Sequence, residues 1–329
     1  MIADIVIGMS YGDEGKGKVT HHLLKIQEYT HCIRFNGGCN AGHTIYHNGN
    51  KFVTHHIPAG VFFGIKSIIG NGCVVNLDVF NSEIRALHKA GIQTKGNIFI
   101  SENAHIITSE HIEEDSKDKK IGTTGQGNGP AYRDKYSRTG VLAKNHPDLI
   151  HSGYLINLYE ELHENDKVVA LFEGAQGFGL DIDWGDYPYV TSSHCTVAGA
   201  LLNGLPYNAV RNVWGVAKAY DTYVGNKKFE GSSYSFDKIR NLGHEFGSTT
   251  GRPRQCNWLD IDLINKSATI NGVTKIVINK VDILRKAKVW AVLKNNKPVY
   301  FDNEKEWTTF IRNNVNCKNI IFSYSPERI

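Results

Sequence analysis

The apolar run Ile2–Gly8 passes almost directly into Gly12-Asp13-Glu14-Gly15-Lys16-Gly17-Lys18. An apolar strand, a glycine-rich turn and a helix, in that order, commit the start of the chain to the strand–turn–helix unit from which α/β folds are built. The turn suits phosphate. Its glycines let backbone N–H groups approach phosphate oxygens, the helix start adds the positive end of a dipole, and Lys16 and Lys18 add charge. The segment does not fit G-x-x-x-x-G-K-[ST], and as a motif alone it also reads as an ordinary tight turn. The acidic pair is the unusual part. Asp13 would repel a phosphate unless a metal lies between them or the carboxylate does proton chemistry, so a carboxylate in such a loop points to a catalyst.

Strand-like runs recur at Ile2–Gly8, Cys32–Phe35, Ser67–Ile69, Ile98–Ile100, Val168–Phe172, Val213–Ala219, Lys275–Asn279 and Asn319–Ser323. Several are continuously apolar, as strands buried on both faces of a parallel sheet must be. Helical patterns lie between them at Lys18–Tyr29, Asp78–Ala90, Asp148–His163, Thr196–Asn203 and Asp260–Asn271. Asn76 or Asp78 can cap the second, whose stripe Val79, Phe80, Ile84 and Leu87 reads as core packing. The charged stretch Glu110–Lys120 reads as a solvated face, and the small polar residues of Gly225–Ser235 as a mobile loop. The expectation is a single domain over 1–329, with a mostly parallel central sheet flanked by helices.

A net charge of +4 without a basic block shows no nucleic-acid footprint. Six scattered cysteines without a C-x-x-C pair argue against zinc and against a disulfide framework. No stretch approaches the ~20 apolar residues that span a bilayer, and no signal core precedes the first strand. The expected setting is cytoplasmic, with no membrane and no nucleic-acid partner.

Five glycine-rich polar segments punctuate the apolar runs: Gly12–Lys18, Asn36–Thr44, Gly122–Pro130, Glu173–Gly179 and Gly247–Arg254. Loops at the carboxyl ends of parallel strands converge on one crevice, and five such loops imply a large polyanionic or two-substrate site. His43 sits among small residues, where it can act on a developing phosphoryl charge. Arg252 and Arg254 suit a dicarboxylate, because the guanidinium fork binds carboxylate with two parallel bonds. Asn279-Lys280-Val281-Asp282 closes an apolar run. A carboxylate there can accept hydrogen bonds from the ring N–H and exocyclic amine of guanine, a donor pair that adenine lacks.

Gly12–Lys18, Asn40–Thr44, Ile121–Gly125, Phe172–Gly177, Tyr187–Ser193 and Thr249–Arg252, in that order, resemble the signature segments of the adenylosuccinate synthetase family, in a compact form like its archaeal and phage-borne branches. The resemblance runs from about residue 2 to the end. It implies a P-loop-NTPase-like α/β fold and the GTP-dependent joining of L-aspartate to IMP through 6-phosphoryl-IMP, giving adenylosuccinate, GDP and phosphate. It also implies roles for individual residues. Asp13, His43, Lys16 and Gln176 would be catalytic. GTP would be held by Gly12, Glu14, Gly15, Lys16, Gly17 and Lys18, by Gly42, His43 and Thr44, and at the guanine by Lys280, Asp282, Ser325 and Pro326. IMP would meet Asp13, Asn40, Thr124, Gln176, Thr191 and Arg252, with Arg138 reaching across a homodimer. Aspartate would meet Thr249, Thr250, Arg252 and Arg254. Mg²⁺ would be held by Asp13 and the backbone oxygen of Gly42.

The chain departs from the family pattern at Gln126, where an arginine is usual, at Pro253 and Gln255, which interrupt an arginine run, and at Asn226–Glu230, which replaces a Gly/Pro-rich stretch. These changes bear on the amino-acid pocket and the ribose side. A phage sibling family that joins aspartate to (d)GMP generally has a small residue where Asp13 stands, so Asp13 favours IMP. A GTP-binding protein without catalysis is the other alternative, and the intact set Asp13, Lys16 and His43 disfavours it.

Overall fold

Strands covered on both faces have no solvent side to mark with polar residues, and the eight apolar runs all take places in one sheet. In the computed structural model, which describes residues 1–118, 120–165, 167–231, 233–247 and 251–329, its strands are β1 (Ile2–Gly8), β2 (His31–Arg34), β3 (Lys66–Ile69), β4 (Ile98–Ser101), β5 (Leu155–Ile156), β6 (Val169–Glu173), β7 (Val210–Lys218), β8 (Lys275–Asn279) and β9 (Ile320–Phe322). Their spatial order is β9-β8-β7-β1-β6-β2-β3-β4-β5, and every neighbouring pair is parallel. Side chains alternate across β1: Val6 joins the cluster that includes Val19 and Leu23, while Ile5 and Ile7 join Ile33, Phe35 and Ile68 on the other face. The carboxyl ends of the strands therefore all open on one edge, with β1 next to the central strand β6.

Helix α1 (Lys16–Ile26) follows the phosphate-type loop and buries Val19, Leu23 and Leu24. Helix α2 (Leu77–Lys89) starts as the sequence predicts: Asn76 Oδ1 accepts from the backbone N–H of Asp78 and Val79 at 3.0 and 3.2 Å.

Two expectations need correction. The pattern read as one helix over Asp148–His163 is a short helix Pro147–Ile150, the edge strand β5, and a second helix Leu158–His163. Gly153, at φ 77°, turns the chain out of the first helix. Ile100 N then pairs with Tyr154 O at 2.7 Å, and Asn157 caps the second helix. The charged stretch is also not wholly a solvated face. Within α3 (Ser109–Ser116), His111 and Asp115 are buried. Asp115 Oδ2 accepts from Gly127 N at 2.8 Å, which ties the glycine-rich segment before α4 (Asn128–Ser137) to α3.

A second sheet, absent from the sequence reading, joins Tyr220–Tyr223, Gln255–Asp260, Trp290–Lys294 and Lys297–Phe301. It carries the arginine-bearing loop to the rim of the crevice. Among the described residues, no helix is long and apolar enough to cross a membrane.

Candidate active site

The loop after β1 is held from inside by its own acid. Glu14 is 1 % exposed. Its Oε1 accepts from Ser10 N and Gly12 N at 3.2 and 2.8 Å, and its Oε2 takes Lys16 Nζ at 2.6 Å. Asn279, at the end of β8, donates to Glu14 O at 2.7 Å and fastens the loop to the sheet. Gly12, Asp13 and Gly15 all have positive φ, at 85°, 57° and 91°. Glycine adopts this conformation freely, and aspartate is among the few side chains that tolerate it. The left-handed turn leaves Asp13 partly exposed, with Oδ2 2.8 Å from Arg254 Nε. That contact is an ion pair by distance without the alignment of a hydrogen bond, so a ligand can take either partner.

The five glycine-rich segments do meet. Asp13 and Arg254 join the first to the last. A Cβ built on Gly12 would lie 3.7 Å from Gln176 Cα, which joins the first to the fourth. Gln176, itself at φ 55°, donates from Nε2 to Asn40 Oδ1 at 3.0 Å and so joins the fourth to the second. Cys39 Sγ stands 3.6 Å from Gln126 Oε1, linking the second to the third.

His43 begins the hairpin His43–His47/Asn50–Thr54 and packs on the first turn of α1. A Cβ on Gly17 would be 3.1 Å from His43 Cβ and 3.4 Å from Thr44 O, so a side chain there would press on the hairpin. His43 Nδ1 contacts Glu173 Oε1 closely, and Arg34 Nη1 is 3.0 Å from both Nδ1 of His43 and Oε1 of Glu173. Burial, with the Arg34 guanidinium beside it, pushes the His43 imidazole down to about 4 despite the pull of Glu173. Burial alone would raise Glu173, but His43 and Arg34 hold it down to about 2. The ring is therefore neutral near pH 7. The carboxylate accepts from Nδ1–H, while Arg34 Nη1 lies 3.1 Å from Nε2, a contact that a ligand would have to replace. A phosphate brought to that nitrogen would favour the protonated ring and turn it into a donor.

Around the second sheet, the buried carboxylate of Glu245 gathers cations. It takes Lys280 Nζ and Arg254 Nη1 at 2.7 Å each, lies 3.6 Å from Lys218 Nζ, and accepts from Tyr220 Oη at 2.7 Å. Burial would raise Glu245, but Lys218, Lys280 and Arg254 together hold it well below the usual carboxylate range.

In the region that the sequence predicts for guanine, Lys18 Nζ donates to Ser323 Oγ and Ser325 O at 2.7 and 2.9 Å. Burial pushes Lys18 down to about 8, against the attraction of Asp282. Asp282 stands in the first turn of the helix Val281–Ala287, with Lys286 Nζ 2.9 Å from one carboxylate oxygen. Pro326 is exposed beyond this point.

The remaining sequence-predicted residues are placed less centrally. Thr124 is exposed in the third segment, and Thr191 N is tied to Leu180 O at 2.8 Å. Arg138 is exposed at the end of α4 with φ 68°. Arg252 is exposed, with Nη2 3.3 Å from Asn226 Oδ1. Thr249 and Thr250 lie outside the described residues.

Four residues were missed by the sequence reading: Arg34, Glu173, Lys218 and Glu245. Three of them end apolar strands, and a charge at the carboxyl end of a buried parallel strand has to find a partner or a ligand. That signal was available in the sequence. Glu245 carries no comparable local mark.

A family model described as adenylosuccinate synthetase matches residues 5–167 and 147–321. The adenylosuccinate synthetase of Bacteroides fragilis is 40 % identical over 335 residues, covering 86 % of this chain and 78 % of its own length. That of Chlorobium phaeobacteroides is 38 % identical over 335 residues, covering 86 % and 77 %. Among solved structures, the fully ligated adenylosuccinate synthetase from Plasmodium falciparum superposes with a TM-score of 0.86 at 28 % identity over 98 % of this chain and 97 % of that one. The cyanophage S-2L succinoaminodeoxyadenylate synthetase, bound to dGMP and dATP, shares the fold with a TM-score of 0.79 at 21 % identity over 99 % and 93 %. The matched segments span the phosphate-type loop, the His43 hairpin and the strands that carry the buried charges, and the chain belongs to the adenylosuccinate synthetase family.

Proposed function

We propose that the residues gathered around the loop after β1 carry out the reaction of this family, the GTP-dependent ligation of L-aspartate to IMP in purine biosynthesis, within a single domain. The observation that carries the reading is Asp13, a partly exposed carboxylate at φ 57° inside a loop shaped for phosphate. Asp13 accepts the ring proton of IMP. The purine O6 then attacks the γ-phosphorus of GTP, the bond to the β,γ-bridging oxygen breaks, and GDP leaves. His43, protonated once the phosphoryl charge is beside it, donates to the transferring group, while Lys16 and the loop amides hold phosphate oxygens. The amine of aspartate next attacks C6, loses a proton, and phosphate departs with its O6. Gln176, bonded to Asn40, orients the purine. Arg252 and Arg254 take the two carboxylates of aspartate, and Lys280, Asp282, Ser325 and Pro326 form the guanine pocket.

The carboxylate of Asp13 and the carbonyl of Gly42 are hard oxygen donors of the kind Mg²⁺ selects. When bound there, the ion would withdraw charge from the phosphoryl oxygens. Release of Asp13 from Arg254 frees both the carboxylate and the guanidinium for their ligands. The enzyme works in the cytoplasm.

The test is a crossed assay of IMP and dGMP with GTP and ATP in the presence of aspartate. Adenylosuccinate from the IMP and GTP pair alone is the expected result. Turnover of dGMP would move the chain to the (d)GMP–aspartate alternative, and GTP hydrolysis without ligation would exclude a ligase.

Three further results are expected. The active unit is a homodimer in which Arg138 of one protomer completes its partner's IMP phosphate site, since a monophosphate needs cations. Mixing Arg138→Ala with Asp13→Asn protein should recover part of the lost activity through hybrid dimers, and no recovery after verified subunit exchange would rule out a shared site. Arg252→Ala should raise the KM for aspartate far more than that for GTP. Gln126 is neutral where the family usually has arginine, so Gln126→Arg should lower the KM for aspartate.

A further inference from the structure

The departures from the family pattern at Gln255 and at Asn226–Glu230 are one structural device. Gln255 opens the strand Gln255–Asp260, opposite Tyr223 and next to Arg254. Its side-chain amide is spent on the backbone of the 225–230 loop. Oε1 accepts from Phe229 N and Glu230 N at 2.8 and 3.2 Å, and Nε2 donates to Gly225 O and Lys227 O at 3.2 and 2.7 Å. Two donors and two lone pairs are the full capacity of a glutamine amide. An arginine here would present donors to Phe229 N and Glu230 N, which need an acceptor.

The clamped loop carries Asn226 to a junction of three segments. Asn226 N donates to Ile121 O at 3.3 Å. Its side-chain Oδ1 accepts from Arg252 Nη2 at 3.3 Å. A Cβ on Gly122 would come within 2.6 Å of that same oxygen, so the amide lies against the one kind of residue that leaves it room. The far side of the loop is pinned as well. Lys227 pairs with Asp186 and lies 5.4 Å over the Tyr11 ring, and Phe229 packs edge-on against Tyr11 at 4.8 Å.

We infer that Gln255 and Asn226 are positioning residues for the amino-acid subsite: Gln255 sets the 225–230 loop, and Asn226 on that loop aligns the Arg252 guanidinium for a carboxylate of the incoming amino acid. The inference rests on the reading of Arg252 as an aspartate ligand. Neither residue is required to touch substrate. Losing the clamp gives the loop back its conformational freedom, and each binding event must then order both the loop and the guanidinium.

The experiment is steady-state kinetics with aspartate varied at saturating GTP and IMP, on Gln255→Leu, Asn226→Ala, Arg252→Ala and their pairs. Gln255→Leu and Asn226→Ala are each expected to raise the KM for aspartate by about five- to tenfold, the size of one or two lost hydrogen bonds. The kcat and the KM for GTP should stay within about twofold of the parent on the same scale of energies. The double variant should match the more affected single one, because both changes break one chain of contacts. In the Arg252→Ala background, neither should add a further effect. Gln255→Glu, which keeps the two acceptor contacts but turns a carboxylate oxygen on the carbonyls of Gly225 and Lys227, should raise the KM for aspartate at least as far as Gln255→Leu; it also serves if the leucine variant folds poorly.

Additive effects, an unchanged KM for aspartate in Asn226→Ala, or an equal rise in the KM for GTP would overturn the inference. The outcome for Arg252→Ala separates the two levels. If that variant binds aspartate normally, the reading of the amino-acid subsite fails. If it binds aspartate poorly while Asn226→Ala is unaffected, only the positioning role fails.

Discussion

Asp13→Asn is expected to fold normally and to lose ~100- to 10,000-fold in turnover, the usual cost of removing a positioned base. Asparagine is the informative replacement because it tolerates the left-handed conformation that the loop imposes at φ 57°. It also keeps the size of the side chain and removes its ability to take a proton. The loop should survive, since its internal bonds run through Glu14 and Asn279 and not through residue 13. The measurement is adenylosuccinate formation alongside a melting curve and GTP binding. A folded, GTP-binding Asp13→Asn protein that still turns over near the parental rate would remove Asp13 from the chemistry.

The second large effect concerns the choice of nucleotide. GTP should exceed ATP as phosphoryl donor by roughly 10,000-fold in kcat/KM, because a buried group that expects hydrogen bonds rejects a partner lacking them. Asp282 is suited to this. It is 18 % exposed, one oxygen is steadied by Lys286, and Lys18 and the Ser323–Ser325 turn lie close by. Asp282→Ala should lower kcat/KM for GTP steeply and leave that for ATP almost unchanged, so that the ratio collapses. Equal rates with ATP in the parent, or an intact preference in Asp282→Ala, would place guanine recognition elsewhere.

The parts of the fold legible in the sequence are those in which one local pattern has one physical meaning. Strands β1 and β8 were read with the ends they have, since continuous apolar runs of that length suit strands covered on both faces. Strand β5 was lost because it has two residues and lies at the sheet edge, inside a stretch whose apolar spacing mimics a helix. Gly153 and Asn157, a turn former and a cap, were the contrary signals. The second sheet was lost because its strands share no one burial pattern, Tyr220–Tyr223 being wholly buried and Lys297–Phe301 without a buried residue, and because the last includes Lys297 and Pro298.

The site divides the same way. Glycine-rich loops announce themselves, so the five segments and their convergence could be read. The buried counter-charges could not, because what makes Glu245 important is Lys218, Arg254 and Lys280, which come from three other segments of the chain. The four-bond clamp of Gln255 was equally invisible. The sequence marks Gln255 and Asn226–Glu230 as two separate departures, and their link exists only across the fold.

Five cations of the crevice come supplied with internal counter-ions: Lys16 with Glu14, Arg34 with Glu173, and Arg254, Lys218 and Lys280 with Glu245. A triphosphate or a dicarboxylate entering such a site exchanges partners with fixed carboxylates and displaces few mobile ions. Its affinity should therefore fall only gently as salt is raised, in contrast to a cleft of bare lysines, whose attraction is screened within about 10 Å at 0.1 M ionic strength. The same arrangement gives stray polyanions little field to follow, so that selectivity comes from matching each exchanged partner in place and not from charge at a distance.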